Sequence, residues 1–329
     1  MRILVTGGAG FIGSNFVLRA LAADKTTEAT VLDSLTYAAD TRNLEGVEKD
    51  GRYRFVKGDI RDPAITERLV PECDAMVNFA AESHVDYSIA NPRLFYETNV
   101  LGTLNLLEAA RKHDKRFIQI STDEVYGDVE KGESRESDAL APSSPYSSSK
   151  ASADLLVCSY CRTYGLDAKI TRTTNNYGPF QHIEKLIPKF AILAMLNRKL
   201  TVYGSGESVR EWIHVRDNCD AIMAVLKKGR KGQVYNIGSG ERRSVMDIAG
   251  LVVSQLGRDR SLITHVEGRP GEDSRYALDS SQIRALGWKP SFTFEKGIAD
   301  TVEWYKENRA WWEEKADTHD LGDRHTKLG

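Results

Sequence analysis

The chain of 329 residues is poor in cysteine and proline, with four and nine, and has no surplus of either charge. Four cysteines over that length do not make the disulfide framework of a small secreted scaffold. No stretch approaches the run of about 20 apolar residues that a membrane-crossing helix requires. The opening segment MRILVTGGAG lacks the long apolar core of a secretory signal. Lys plus Arg number 45 against 47 for Asp plus Glu, a net charge of −2, so no field of one sign favours nucleic acid or an anionic membrane. None of the seven histidines falls in a metal-ligand spacing, and no metal is expected. Cys158 and Cys161 share a helical pattern with no second ligand pair nearby, which suits core or interface cysteines better than zinc. The expectation is a cytoplasmic enzyme of roughly two domains.

Short apolar runs recur through the first half, at 2–6, 29–33, 53–57, 75–80 and 116–121, with 169–173 a candidate sixth. They are continuous rather than alternating, as in strands buried on both faces of a parallel sheet. Helical patterns fall between them, at 12–22, 92–113 and 148–164 among others. This alternation predicts an α/β fold, a Rossmann-type doubly wound parallel sheet with right-handed crossovers. Beyond about residue 175 the texture changes to glycine-rich turns with few clear strands, which reads as a smaller mixed α/β substrate domain. The expected division is a cofactor domain over 1–175 with returns from about 209–238, and a substrate domain mainly over 176–312. A polar, loosely attached arm is expected over 313–329, with Trp304, Trp311 and Trp312 docking a terminal helix before it.

Gly7-Gly-Ala-Gly10-Phe11-Ile12-Gly13 follows the first strand and opens a helix. The three glycines permit a tight turn, close backbone approach to a pyrophosphate and close packing of helix on strand. A helix N-terminus there offers free N–H groups and a positive dipole end. Asp33 ends the second strand, near the expected spacing for the acid that binds adenosine ribose hydroxyls. A carboxylate there repels the 2′-phosphate of NADP, and Ser34, Leu35 and Thr36 follow it rather than an arginine, so NAD is favoured. Asp59 and Ile60 follow the third strand, where an acid can meet the adenine edge. Ala80, Ala81 and Ser83 follow the fourth, at the carboxyl edge where open α/β sheets bind ligands.

Tyr146 and Lys150 stand four apart, so on a helix they share a face. An ammonium beside a phenol favours phenolate, and the expectation is a Tyr146 pKa lowered from about 10 toward neutrality. Such a tyrosine can take a proton from a sugar hydroxyl as hydride leaves for NAD+. The plain alternative is a surface Tyr–Lys pair. Thr122, Asp123 and Glu124 follow the fifth strand at the same edge. One carboxyl can act as acid and the other as base if their surroundings separate their pKa values; otherwise both are solvated loop residues.

With these segments the chain resembles the extended short-chain dehydrogenase/reductase family and, within its nucleotide-sugar branch, the dTDP-glucose 4,6-dehydratases. The resemblance rests on GGAGFIG (7–13), LDSLTYA (32–38), AAESHVD (80–86), STDEVYG (121–127), PYSSSKA (145–151), NNYGPFQHIEKLIP (175–188), VREWIHV (209–215) and the block opened by RPGED (269–273). It implies that Tyr146, assisted by Lys150 and Thr122, deprotonates the C4 hydroxyl while hydride passes to NAD+. Glu124 would remove the C5 proton, Asp123 would protonate the departing C6 hydroxyl, hydride would return to C6 and a proton would be restored at C5, giving a 4-keto-6-deoxy sugar. It further implies that Thr98 and Asn176 lie on the cofactor side. Ser83, Asn175, Lys185, Leu186 and Tyr203 would line the dTDP- or UDP-linked sugar, with Arg210 and Arg269 on its diphosphate and Tyr276 closing the site. The helices over 92–113 and 148–164 would pair two copies into a four-helix bundle, a homodimer.

Departures from the branch stand at Tyr87, Thr201, Val245 and Glu272, around the sugar or nucleotide. They keep open an NDP-glucuronate decarboxylase, which shares the C4 oxidation but needs no acid to expel water and commonly has Ser where Asp123 stands. A 4-epimerase needs no acid–base pair at C5 and C6. A non-catalytic NAD-sensing regulator on the same fold is a further alternative, against which both Tyr146 and Lys150 are present.

Overall fold

The computed structural model describes residues 1–267, 275–318 and 321. Strands β1 (Arg2–Thr6), β2 (Glu28–Asp33), β3 (Tyr53–Lys57), β4 (Ala75–Asn78), β5 (Arg116–Thr122) and β6 (Ala168–Thr173) fall where the apolar runs predict them. Six more strands follow: β7 (Asn175–Tyr177), β8 (Leu200–Tyr203), β9 (Val209–His214), β10 (Val234–Ile237), β11 (Arg242–Ser244) and β12 (Ile263–Val266). At three to six residues each, they are too short to carry a visible periodicity.

The helices are α1 (Phe11–Ala23), α2 (Pro63–Leu69), α3 (Val85–Ala90), α4 (Pro92–Tyr96), α5 (Thr103–Lys112), α6 (Pro145–Tyr164), α7 (Leu186–Met195) and α8 (Val215–Lys228). After them come α9 (Val245–Gln255), α10 (Ser281–Ala285), α11 (Phe294–Glu307) and α12 (Arg309–Thr318).

The main sheet has seven strands in the order β10-β6-β5-β4-β1-β2-β3, with every pairing parallel. The order turns back between β1 and β4, the switch point at which doubly wound folds open a ligand crevice. Both faces are covered, which explains the continuous apolar runs. Ile3 and Val5 pack with Phe16 and Leu21 of α1 and Ile222 and Val225 of α8. Leu4, between them, packs on the opposite face with Leu69 of α2, Leu106 of α5 and Val157 of α6. A three-stranded sheet (β11-β9-β7) and a two-stranded one (β12-β8) lie apart from the main sheet. Tyr177, Phe190, Trp212, Ile248, Phe294 and Trp312 form their core. β10 and α8, although late in the chain, belong to the main sheet and its first layer.

Three features differ from the sequence expectation. The pattern over 92–113 is not one α-helix, because residues Glu97–Gly102 form a π-helical stretch between α4 and α5. Helix α6 starts at Pro145, before the expected 148. Ser144 caps it, in a capping box with Ser147, and proline suits the first helical position. The segment expected as a loose arm from 313 is helical as far as Thr318. Its Lys315 ammonium sits 2.6 Å from Asp40 and 3.4 Å from the centre of the Trp311 ring.

The tryptophans do dock the terminal helices. Trp311 donates from its indole nitrogen to Asn43 at 2.9 Å, and Trp312 to the carbonyl of Tyr305 at 2.7 Å. Phe180, Trp304 and Trp311 stack edge to face around them. Trp311→Ala is expected to destabilise the chain by roughly 3–5 kcal/mol, read as a lowered midpoint in urea unfolding.

Candidate active site

A cavity of about 470 Å³ opens along the carboxyl ends of β1 to β6. At its floor the β1–α1 turn is held open by absence of side chains. Gly7 has φ +68°, and a Cβ on it would lie 2.6 Å from the backbone nitrogen of Ala80. A Cβ on Gly13 would strike the carbonyl oxygen of Gly7, so α1 can approach β1 this closely only with glycine there. Gly10, the residue capping α1, brings no side-chain cap, so the first N–H groups of the helix face the cavity.

Asp33 accepts N–H bonds from Ala9 at 2.9 Å and from Leu35 at 2.8 Å. Burial raises its pKa against those two bonds. A dinucleotide fits this arrangement: a bare glycine cradle with free N–H groups for the pyrophosphate, and a fixed acid at the end of β2 for a ribose.

Phe11, Ile12, Ser34, Thr36, Asp59, Ile60, Ala80, Ala81, Thr98 and Asn176 line the same cavity, as expected for the cofactor side. Asp59 is committed to Arg61, at 2.6 Å; burial opposes its ionisation, yet the guanidinium holds the carboxyl below its ordinary value. Thr98 reaches the cavity from the π-helical stretch. The next residue, Asn99, accepts from the backbone N–H of Glu82 at 2.9 Å and donates to its carbonyl at 3.0 Å. The extra residue in that turn thus clamps the loop after β4, and π-helical turns concentrate at functional sites for this kind of reason.

Of the other expected residues, Ser83, Thr122, Glu124, Tyr146, Lys150, Asn175, Lys185 and Leu186 line the cavity. Leu186 opens α7 there, and Lys185 leaves that helix start without a side-chain cap. Tyr203, Arg210 and Tyr276 do not line it. They belong to the smaller sheets and the segment beside them, where the Arg210 guanidinium lies 5.0 Å from the centre of the Tyr276 ring. Arg269 and Glu272 lie outside the described residues. Asp123 also stands off the cavity, almost fully buried behind Thr122, whose hydroxyl donates to its Oδ1 at 3.1 Å.

Among the lining residues that the sequence reading missed are Arg61, Gln181, His182, Glu184 and Trp212. The last four stand inside the quoted segments 175–188 and 209–215, but without chemistry that spacing alone would flag. Tyr87, one of the departures, stacks on His84 at 4.2 Å and meets the edge of Tyr37.

The electrostatics separate the neighbouring acids. Burial, the adjacent Glu124 and the buried Glu211 push the Asp123 carboxyl well above its ordinary pKa, against the Thr122 hydroxyl. Glu124 opens on the cavity, and its backbone N–H donates to the Thr122 hydroxyl at 3.3 Å.

The expectation for Tyr146 is corrected. Its phenol is raised rather than lowered, first by burial and then by the neighbouring carboxyls, Glu124 before Asp123. Lys150 directs its ammonium at the carbonyl of Ile120, 2.5 Å away, and burial pushes the amine down to about 8. In this structure the lysine therefore does not offset the carboxylates around the phenol.

A protein-family model described as GDP-mannose 4,6 dehydratase matches residues 4–301. A dTDP-glucose 4,6-dehydratase of Streptomyces niveus is 49% identical over 95% of each chain. The chain belongs to the nucleotide-sugar branch of the extended short-chain dehydrogenase/reductase family. A second relative, the low-salt glycan biosynthesis protein Agl12 of Haloferax volcanii, is 51% identical over 93% of this chain and 98% of its own. The structure superimposes on the dTDP-glucose 4,6-dehydratase DesIV of Streptomyces venezuelae, solved with NAD bound, with a TM-score of 0.92. The identity there is 50%, covering 95% of this chain and 99% of the other.

The raised Asp123 carboxyl has a consequence for stability. A carboxyl whose folded pKa exceeds its unfolded value contributes stability below the unfolded value, lost as pH rises through the folded one. Asp123→Asn is therefore expected to raise Tm at pH 8 relative to the parent and to leave it nearly unchanged at pH 4. Melting curves at the two pH values check this.

Proposed function

We propose that the chain is an NAD-dependent lyase that removes water from a nucleoside diphosphate glucose, dTDP-glucose being the substrate, to give dTDP-4-keto-6-deoxyglucose. The observation that carries this reading is the Asp123–Glu124 pair. One carboxyl is buried, which pushes its pKa well above the ordinary value and favours the protonated form, while its neighbour faces the cavity. Elimination of water needs both an acid for the departing hydroxyl and a base for the carbon acid, and such a separated pair supplies them. Loss of CO2 from a 4-keto uronate needs no such acid, and epimerisation at C4 needs no pair.

NAD+, when bound, accepts the C4 hydride and later returns it. The remaining work falls to residues of the chain. Tyr146 takes the proton of the C4 hydroxyl as phenolate, an ionisation that the positive charges of Lys150 and of bound NAD+ would have to favour against the burial and carboxyls that oppose it, with the Thr122 hydroxyl beside it. The C4 ketone acidifies the C5 hydrogen, which Glu124 removes, and Asp123, set back from the cavity, supplies the proton for the leaving C6 hydroxyl through the Thr122 hydroxyl that bonds to it; as the hydride arrives at C6, Glu124 returns its proton to C5. Lys185 and the open start of α7 suit the negative charge of the nucleotide. Arg210, with Tyr276 against it, stands outside the cavity lining at the smaller sheets, and its part in this reading is to hold the diphosphate of the nucleotide sugar. Arg269 and Tyr203 belong to the same reading.

A homodimer is the second part of the proposal. Leu101, Leu155 and Tyr164 are more than half exposed, on the π-helical stretch and on α6. A second copy laid across this face covers them in a four-helix bundle. Light scattering at micromolar concentration is expected to give the mass of two chains, and a monomer would count against it. The four unpaired thiols suit a reducing compartment such as the cytoplasm.

Incubation with dTDP-glucose is expected to give a product lighter by one water, identified by mass, and UDP-glucuronate is expected to be left intact. Loss of CO2 from the glucuronate would overturn the dehydratase reading. With dTDP-glucose, Asp123→Asn is expected to slow elimination by roughly 10²-fold or more while reduced cofactor still forms. Tyr146→Phe should abolish that first oxidation.

A further inference from the structure

Tyr146, Lys150 and Asp154 recur every four residues along α6, on one stripe facing the sheet. The first two belong to the oxidation chemistry, whereas Asp154 has no part in it and no access to the cavity. It is nevertheless fully buried. Its Oδ2 accepts from the Arg172 Nε of β6 at 2.9 Å. Arg172 in turn donates to the Tyr126 hydroxyl at 2.7 Å, and that hydroxyl donates to Asn236 at 2.8 Å. The other oxygen, Oδ1, makes no aligned hydrogen bond, and neither does the Ser121 hydroxyl that faces it from β5.

We propose that Asp154 is a positioning residue for Lys150. Its carboxylate, fixed by Arg172 one helical turn beyond the lysine, is the counter-charge that keeps the buried ammonium protonated and aimed at the end of β5. The inference rests on the reading of Tyr146 and Lys150 as the oxidation pair.

The charges around the stripe agree with this. Burial acts to discharge Lys150, and Asp154 is the group that opposes it. Burial also lifts the Asp154 carboxyl, against which Arg172, Lys150 and Ser121 act together. The other titratable groups do not take its place. Tyr126 is a neutral phenol pushed up to about 12, with Glu136 beyond it, and Cys158 one turn further along α6 is a thiol raised by burial. Asp123 and Glu124 bear on Tyr146 instead.

The test uses the NAD-loaded chain. Lysine labelled at its side-chain nitrogen allows the Lys150 amine to be titrated by NMR without sugar. Asp154→Asn is expected to lower that titration by about one pH unit. With dTDP-glucose, the alkaline limb of reduced-cofactor formation should fall by the same amount, roughly a tenfold loss of rate at the upper end, with KM unchanged.

Should the single variant fold poorly because Arg172 is left without its partner, the pair Asp154→Asn with Arg172→Gln is expected to lower the titration as well, by a smaller amount because a cation that opposes the ammonium is lost too. An unmoved Lys150 titration in the folded variant, or a loss of rate uniform across pH, would overturn the proposal. The titration needs no turnover, so it decides the matter even if the sugar assay assigns another substrate.

Discussion

An ammonium buried beneath a helix must find acceptors, and Lys150 has found one in the last strand residue but two, the Ile120 carbonyl 2.5 Å away. Taking such a charge out of water costs several kcal/mol unless it is well partnered. The partner lies on β5 and the charge on α6, so the helix can neither rotate nor slide against the sheet without losing it. The Asp154–Arg172 pair pins the same helix to β6. Much else follows from this lock. Tyr146, in the first turn of α6, is held at the carboxyl edge of the sheet. Ser149, beside Lys150, receives a bond from Asn99 at 2.9 Å, and Asn99 clamps the loop after β4.

The same edge shows how adjacent residues acquire different chemistry. Thr122 ends β5, and its hydroxyl serves both neighbours, donating to the carboxylate of Asp123 and accepting from the backbone N–H of Glu124. The turn that follows sends one acid inward among apolar groups and the other outward to the cavity. Desolvation then raises the first. The distinction between an acid and a base at this site is thus a matter of which side of a 3₁₀ turn each carboxyl occupies.

Much of this was legible in the residues. The six long strands announced themselves because strands covered on both faces tolerate little polarity. The glycine turn and Asp33 carried their meaning in spacing. Other features left no trace. The π-helical stretch has the composition of an ordinary helix, and its extra residue matters only through the loop that Asn99 meets. The tail helix looked polar because its anchors, Trp311 and the Lys315–Asp40 pair, bind residues distant in sequence. Spacing sets which face Tyr146 and Lys150 share, whereas the pKa of the phenol depends on the dryness and the carboxyls around it, which spacing does not show.

By itself, then, the sequence determined the sheet, the turn that cradles a dinucleotide and the residue types available for oxidation and elimination. Those are local properties of periodicity and spacing. The tertiary structure decided the protonation of Asp123, the burial of Lys150 and the engagement of Asp154. Charge states in a folded chain depend on which groups are brought together and how much water is excluded, and only the packed molecule fixes both.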